Sequence, residues 1–195
     1  MPRTKQYDRK EVLAKAMDLF WDRGYHATGV ADLEAAMGIN KFSLYAAFGS
    51  KRGLLLEALD HYARTWQAST FARLDPRRPA ESILDLFRFA SSLHERIGHN
   101  GCFLLSVGQE FNHSDPEILE RVEALYTALE ARFQACLEAL PRRAPLAKRD
   151  AAVAAAFLRT LLEGVLARSR HGGGTPGADP LHVLRPLLGL SEEGA

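Results

Sequence analysis

Apolar residues recur every three or four positions along most of the chain, and no stretch alternates with a period of two. That spacing predicts an all-α protein of about nine helices, each with one buried face. The first spans 8–23: Val12, Ala16 and Phe20 repeat at four-residue intervals, with Leu13 and Met17 beside them. Lys10, Lys15, Asp18 and Asp22 face outward, and Gly24 is the stop. Two very short helices follow within 28–52. Leu33, Ala36 and Met37 form the inward face of one, and Leu44 and Phe48 that of the other. Gly38 sits where the chain must reverse, which favours a residue free to adopt positive φ, and Asn40 follows as an N-cap. Ser50 caps a fourth helix that runs to about Arg73 on the stripe Leu55, Leu59, Tyr62 and Trp66, until Asp75-Pro76-Arg77-Arg78-Pro79 breaks it.

The pattern continues with a helix over about 80–97 that buries Ile83, Phe87 and Ala90, and a turn at Gly98-His99-Asn100-Gly101. A short apolar helix runs from Cys102 to Phe111. Ser114-Asp115-Pro116-Glu117 starts a seventh helix, with cap residues, a proline and an acidic first turn. Its buried face is Ile118, Val122, Leu125, Leu129, Phe133, Cys136 and Leu140. An eighth helix over about 147–170 is apolar on every side from Ala151 to Leu158, so it must be covered all round. Its own chain covers one side and a symmetry mate the other. After the loop Gly172-Gly173-Gly174-Thr175-Pro176-Gly177, the residues Leu181, Leu184, Leu187 and Leu188 make a short ninth helix.

Charge sharpens the N-terminal picture. The chain of 195 residues has a formal net charge of +1, but residues 1–53 carry nine Lys and Arg against six Asp and Glu. This basic end holds the two short helices, whose second member sends Lys41, Ser43 and Tyr45 outward behind a glycine turn. A helix-turn-helix enters a DNA major groove in that way, and the basic excess suits phosphate. Arg3 and Lys5 precede it, on an arm that either reaches the duplex or frays as a free terminus. The two cysteines make no disulfide framework, no apolar run has the length of a membrane span, and the N-terminus has no signal-peptide pattern. These features predict a cytoplasmic protein without a membrane partner. Seven scattered histidines, no glycine-rich phosphate loop after a strand and no nucleophile motif argue against an enzyme. No cofactor and no metal are expected.

Residues 8–62 resemble the tetracycline-repressor (TetR) family of transcriptional regulators. The resemblance rests on Phe20-x-x-x-Gly24-Tyr25, on Thr28-x-Val30-x-Asp32-Leu33, and on Gly38-Ile39-Asn40-Lys41-x-Ser43-Leu44-Tyr45-x-x-Phe48-x-Ser50-Lys51. It implies a helix-turn-helix DNA-binding domain over 1–52 and a larger helical ligand-binding and dimerisation domain over 53–195. It further implies a ligand-responsive regulator, by default a repressor, that binds a palindromic double-stranded DNA operator as a homodimer and is released by a small-molecule effector. The other reading of the residues is an all-helical small-molecule-binding protein without DNA binding, which leaves Lys41, Ser43, Tyr45 and Lys51 without a task.

The DNA-binding set is Thr28, Gly29, Lys41, Phe42, Ser43, Tyr45 and Lys51. Thr28 offers a hydroxyl and backbone donors at the start of the second helix. Gly29 stands where the family usually has Ser or Thr, and Phe42 where it often has a small residue or proline. Phe42 either meets a thymine methyl or packs back on the first helix. Lys41 points at a guanine edge or a phosphate, and Ser43 donates to either. Tyr45 is a phosphate contact or a half-buried core aromatic, and Lys51 neutralises a phosphate. In the second domain Trp66, Phe87, Cys102, Phe103, Leu104, Phe111, Tyr126 and Leu129 are candidates for a cavity wall or for ordinary core. Cys102, at a helix start, is either a thiolate sensor or a small buried apolar residue. His94, His99 and His113 are the histidines that Cys102 would need for a soft-metal site, though their spacing is irregular. Phe157, Leu158, Leu161, Leu162, Val165, Leu184 and Leu188 are the dimerisation set.

Overall fold

A computed structural model describes residues 7–97, 101–112, 114–169 and 180–191, with the side chains of 93–97 and 169 outside that description. Among the described residues there are nine α-helices and no strand. They are α1 (Arg9–Arg23), α2 (Val30–Met37), α3 (Lys41–Phe48), α4 (Lys51–Thr70), α5 (Pro79–Ile97), α6 (Phe103–Phe111), α7 (Pro116–Glu138), α8 (Ala151–Ser169) and α9 (Pro180–Leu187). The arm with Arg3 and Lys5, the turn at 98–100, and the loop 172–177 lie outside the described residues.

The first three helices form a small bundle closed by the N-terminal half of α4. Val12, Ala16 and Phe20 from α1, Leu33 and Met37 from α2, and Leu44 and Phe48 from α3 are buried with Leu54, Leu55, Ala58 and Leu59. Ala36, expected on the inward face of α2, is exposed. Ile39, in the turn, is buried instead and fills that place. Arg9 fastens the bundle from outside. Its guanidinium pairs with Glu57 through two hydrogen bonds of 2.7 and 2.8 Å, donates to the Ala47 carbonyl at 2.9 Å and lies over the Phe48 ring. The approach of α3 to α4 is close: a Cβ on Gly53 would stand 2.2 Å from the Phe48 carbonyl oxygen.

The C-terminal half of α4 enters a larger helical body. Tyr62 and Trp66 are buried there, and a 3₁₀ turn over Phe71–Arg73 completes the predicted length of the helix. Helix α7 is the spine of this body, capped by Asp115 with Pro116 in its first turn, and all seven residues of its predicted face are buried. Phe87 on α5 stacks on Phe133 at a centroid distance of 6.4 Å. Helix α8 starts at Ala151, four residues later than expected. A 3₁₀ turn occupies Leu146–Lys148, and the Asp150 carboxylate accepts the Ala152 and Val153 amides to open the helix.

Helix α8 is covered on one side only. Ala154, Ala155, Leu158, Leu162 and Leu166 face the protomer's own core, whereas Val153 is 69% and Phe157 47% exposed. Leu184 and Leu188, on and after α9, are also fully inside. Leu158, Leu162, Leu184 and Leu188 are therefore corrected from dimerisation to core residues. The turn of 100° per residue sets Leu158 and Leu162 on the side of α8 away from Val153, and all four are buried by the protomer itself, so no mate can reach them. Leu161 and Val165 are half-buried at the edge of the bare stripe.

The Phe87–Phe133 contact gives a direct check on this core. Phe133→Ala should lower unfolding free energy by about 3–5 kcal/mol, read from urea denaturation, because both rings are fully buried and the site is lined from two helices.

Candidate nucleic-acid interface

The surface formed by α2 and α3 is built by capping. Gly38 adopts φ +68°, a left-handed conformation that lets α2 end and α3 begin within three residues. The Asn40 side chain then accepts the Ser43 amide at 2.8 Å, and the Glu34 carboxylate reaches across the turn to accept the Lys41 amide. Leu44 and Phe48 anchor α3 below, leaving its other face to solvent. Lys41 is exposed, its ammonium 5.7 Å from the centre of the Tyr45 ring, and Ser43 is half-buried beside them. Phe42 is 83% exposed. The choice left open by the sequence is thus decided: this ring does not pack on α1 but stands free at the tip of α3. Tyr45 reaches the surface too, at 36% exposure, with the rest of its ring against the helix.

The start of α2 differs from expectation. Thr28 is fully buried, its hydroxyl donates to the Gly24 carbonyl at 2.6 Å, and its amide donates to the Tyr25 carbonyl. Its donors hold the loop after α1 and are unavailable to DNA, which corrects its assignment. Gly29 is the exposed N-cap, and its own amide donates to the Asp32 carboxylate at 2.8 Å. Asp32 in turn lies 3.4 Å from Arg23.

Lys51 is half-buried, its ammonium 4.1 Å above the centre of the Tyr25 ring. Burial pushes its pKa down, and Glu110 pulls in the opposite sense. Around it the small bundle is tied to the body by acids distant in sequence. The Glu110 carboxylate, near the end of α6, accepts the Tyr25 and His26 amides at 2.8 and 2.6 Å. Arg52 donates to Asp115 at 2.7 and 2.9 Å and to Glu117 at 2.6 Å. Those hydrogen bonds hold both carboxyls below the usual carboxylate range. Between the two parts, the rings of Trp21, Tyr62 and Phe103 meet at centroid distances of 5.3 to 6.0 Å, and Phe111 lies 5.1 Å from Tyr25.

The expected cavity residues divide. Phe103, Leu104 and Phe111 belong to the packing beneath the bundle, Phe87 and Leu129 are core, and Trp66 is edge-on to Phe71. Tyr126 also borders an open pocket of about 570 Å³ between α6, α7 and α8, with Gly108, Leu119, Val122, Glu123 and Arg159. Arg159 lies 4.4 Å over the Tyr126 ring and joins Glu123, Glu130 and Glu163. Cys102 caps α6, but its thiol is buried 3.5 Å from the Tyr62 hydroxyl. Burial pushes the thiol pKa up, outweighing the nearby backbone donors. The thiolate expected from a helix start is therefore not favoured here, and the small buried residue is what the structure contains. Cys102 lacks described company for a metal: the His94 side chain, His99 and His113 lie outside the described residues.

Comparison with known proteins agrees with this architecture. The pattern of bacterial regulatory proteins of the tetR family matches residues 12–58, and that of the tetracyclin repressor-like C-terminal domain matches residues 79–177. The chain is 29% identical to the HTH-type transcriptional repressor ComR of Escherichia coli K12 over 174 residues, which are 87% of this chain and 83% of that protein. It is 32% identical to the HTH-type transcriptional regulator YezE of Bacillus subtilis 168, over 68% of this chain and 70% of that one. Among solved structures, a cysteine mutant of the TetR family regulator CifR in complex with 26-bp double-strand operator DNA superposes with a TM-score of 0.80. It is 28% identical and covers 95% of this chain and 97% of that one.

Arg52 offers a test of the junction. A carboxylate whose folded pKa is depressed adds stability above its unfolded value, near 4, and loses it as the pH falls through the folded one. Arg52→Ala should lower the urea midpoint at neutral pH, by the modest amount expected of part-exposed pairs. The gap between variant and wild type should close in strong acid. A gap that stays constant with pH assigns the effect to packing.

Proposed function

This chain belongs to the tetR family of bacterial regulatory proteins, and from that premise we propose that it regulates transcription by binding double-stranded operator DNA through α3. The observation that carries the reading is the exposed tip of α3, where Lys41, Phe42 and Tyr45 project from a helix fixed at its start by Asn40 and Glu34. A bare phenylalanine beside a lysine has no packing role there; in a major groove it meets a thymine methyl while Lys41 takes a guanine edge or a phosphate. Ser43 supplies a weak donor, Tyr45 a phosphate contact, and Gly29 lets the phosphate backbone pass close to α2. Lys51 acts from its seat on Tyr25, in the first turn of α4. Repression is the mode carried by ComR and is proposed here on that likeness.

The unit that binds is a homodimer. The bare stripe on α8, with Val153, Phe157, Leu161 and Val165, and Val183 on α9, 64% exposed, supplies the apolar face for a second copy. Two such copies set their α3 helices in successive major grooves, about 34–36 Å apart, on a palindromic site. The division of labour places the reading head in residues 1–52 and the effector and dimer functions in 53–195, with α4 embedded in both. An effector, of small-molecule size, acts in the body at the pocket beside Tyr126 between α6, α7 and α8. A shift of α6 reaches the head through Glu110 and its two amides.

Two measurements test this. Affinity for a duplex selected from a random pool should fall steeply with salt, and Lys41→Ala should weaken it and reduce the salt slope by about one. Unchanged affinity and slope overturn the role of Lys41. In sedimentation, the wild type should run as a dimer and a Val153→Glu, Phe157→Glu double variant as a folded monomer; a monomeric wild type overturns the dimer.

A further inference from the structure

Glu34 was not among the residues that the sequence pattern marked, yet its carboxylate occupies the start of the helix that faces outward most. It stands on α2, four residues before Gly38, and its Oε1 accepts the amide of Lys41, the first residue of α3. Asn40 takes the Ser43 amide, and Asn40 Oδ1 and Glu34 Oε1 thus satisfy two of the first three donors of α3. A helix N-terminus commonly takes its anion from outside, often a phosphate. Here the anion is built in. Of those three donors only the Phe42 amide is left for a phosphate, and a carboxylate stands at the end of the helix that carries the exposed side chains of Lys41 and Phe42. Glu34 Oε2 has no hydrogen bond among the described residues.

The chemistry of that oxygen is selective. It only accepts, so in a major groove it is repelled by guanine N7 and O6 and by thymine O4. It is attracted by the exocyclic amines, and of these cytosine N4 is the one that carboxylates read, because adenine sets the N7 acceptor beside its amine. The ammonium of Lys41 is complementary, since it suits the O6 and N7 acceptors of guanine. A carboxylate at the start of α3 and the ammonium of Lys41, held near the Tyr45 ring, therefore match the two edges of G·C pairs.

We propose that Glu34, from outside the reading helix, is a specificity-determining residue that selects cytosine at one position of the site. The proposal rests on the reading that α3 enters the major groove. It is tested by selecting duplexes from a random pool with the purified full chain, as wild type, Glu34→Ala and Glu34→Gln, and sequencing what is bound. The wild-type motif should contain a cytosine position at which other bases bind about 5- to 150-fold more weakly. In Glu34→Ala that position should flatten to within about twofold while the others persist, and Glu34→Gln should move it toward adenine, the base that glutamine pairs with. A Glu34→Ala motif identical to wild type, or one that loses preference evenly at every position as a mere cap would, overturns the proposal. Should Glu34→Ala fail to fold by circular dichroism, Glu34→Gln decides alone, and a retained cytosine preference overturns it. A wild type that enriches no sequence at all overturns the DNA-binding reading, and this inference with it.

Discussion

Helix α4 is buried at both ends against different neighbours, and most of the molecule follows from that. Its first half closes the α1–α3 bundle with Leu54, Leu55, Ala58 and Leu59, and its second half enters the body with Tyr62 and Trp66. A helix of 20 residues is a rod of about 30 Å that does not bend without losing backbone hydrogen bonds. Leu59 and Tyr62 lie less than one turn apart, so there is no slack between the two cores. The bundle can change its attitude to the body only by moving α4 as a whole, and any such movement strains the acid contacts of Glu110, Asp115 and Glu117. Those contacts are charge-assisted and partly screened by solvent, firm enough to fix a geometry and weak enough to be exchanged.

The outward surface of α2 and α3 is economical with its backbone donors. Asp32 serves the amide of Gly29, Glu34 that of Lys41 and Asn40 that of Ser43. The side chains of Lys41, Phe42 and Tyr45 are thereby left as the outward groups of this surface. The exposed ring of Phe42 is the visible result. An apolar group of that size kept at 83% exposure is a cost in water that only a partner removes.

The helical order was legible in the sequence because apolar spacing and caps act locally. Val12, Ala16 and Phe20, the Asn40 and Ser50 caps, and the Asp115-Pro116 start all stand as the pattern requires. Lys41 and Tyr45 were legible as outward because a helix of eight residues with Leu44 and Phe48 inside has only one way to face, whereas Ser43 is half-buried and Phe42 stayed open between solvent and α1 until the structure set it free. What was not legible depended on contacts distant in sequence or on competition for one donor. Thr28 looked free until the Gly24 carbonyl took its hydroxyl. Glu110 meets amides 84 and 85 residues away, a distance no periodicity reports. The residues of α8 were read as a uniformly apolar helix, and period alone does not say which side its own chain claims; Leu158 and Leu162 went inward, Val153 and Phe157 outward. Cys102 shows the same limit for chemistry: the helix start was visible, but the burial that overrides it was not.

The close approach at Gly53 limits where a foreign head could be joined to this body. With the Phe48 carbonyl oxygen 2.2 Å from where a Cβ would be, the seam between α3 and α4 admits no side chain. A crossover that joined a foreign head at that seam would have to keep the glycine, and the four α4 residues that floor the bundle would have to match the incoming helices. The natural splice point is therefore not the turn before α4 but its middle, between Leu59 and Tyr62, where one core ends and the next begins. A transplanted head has to bring the first half of α4 with it.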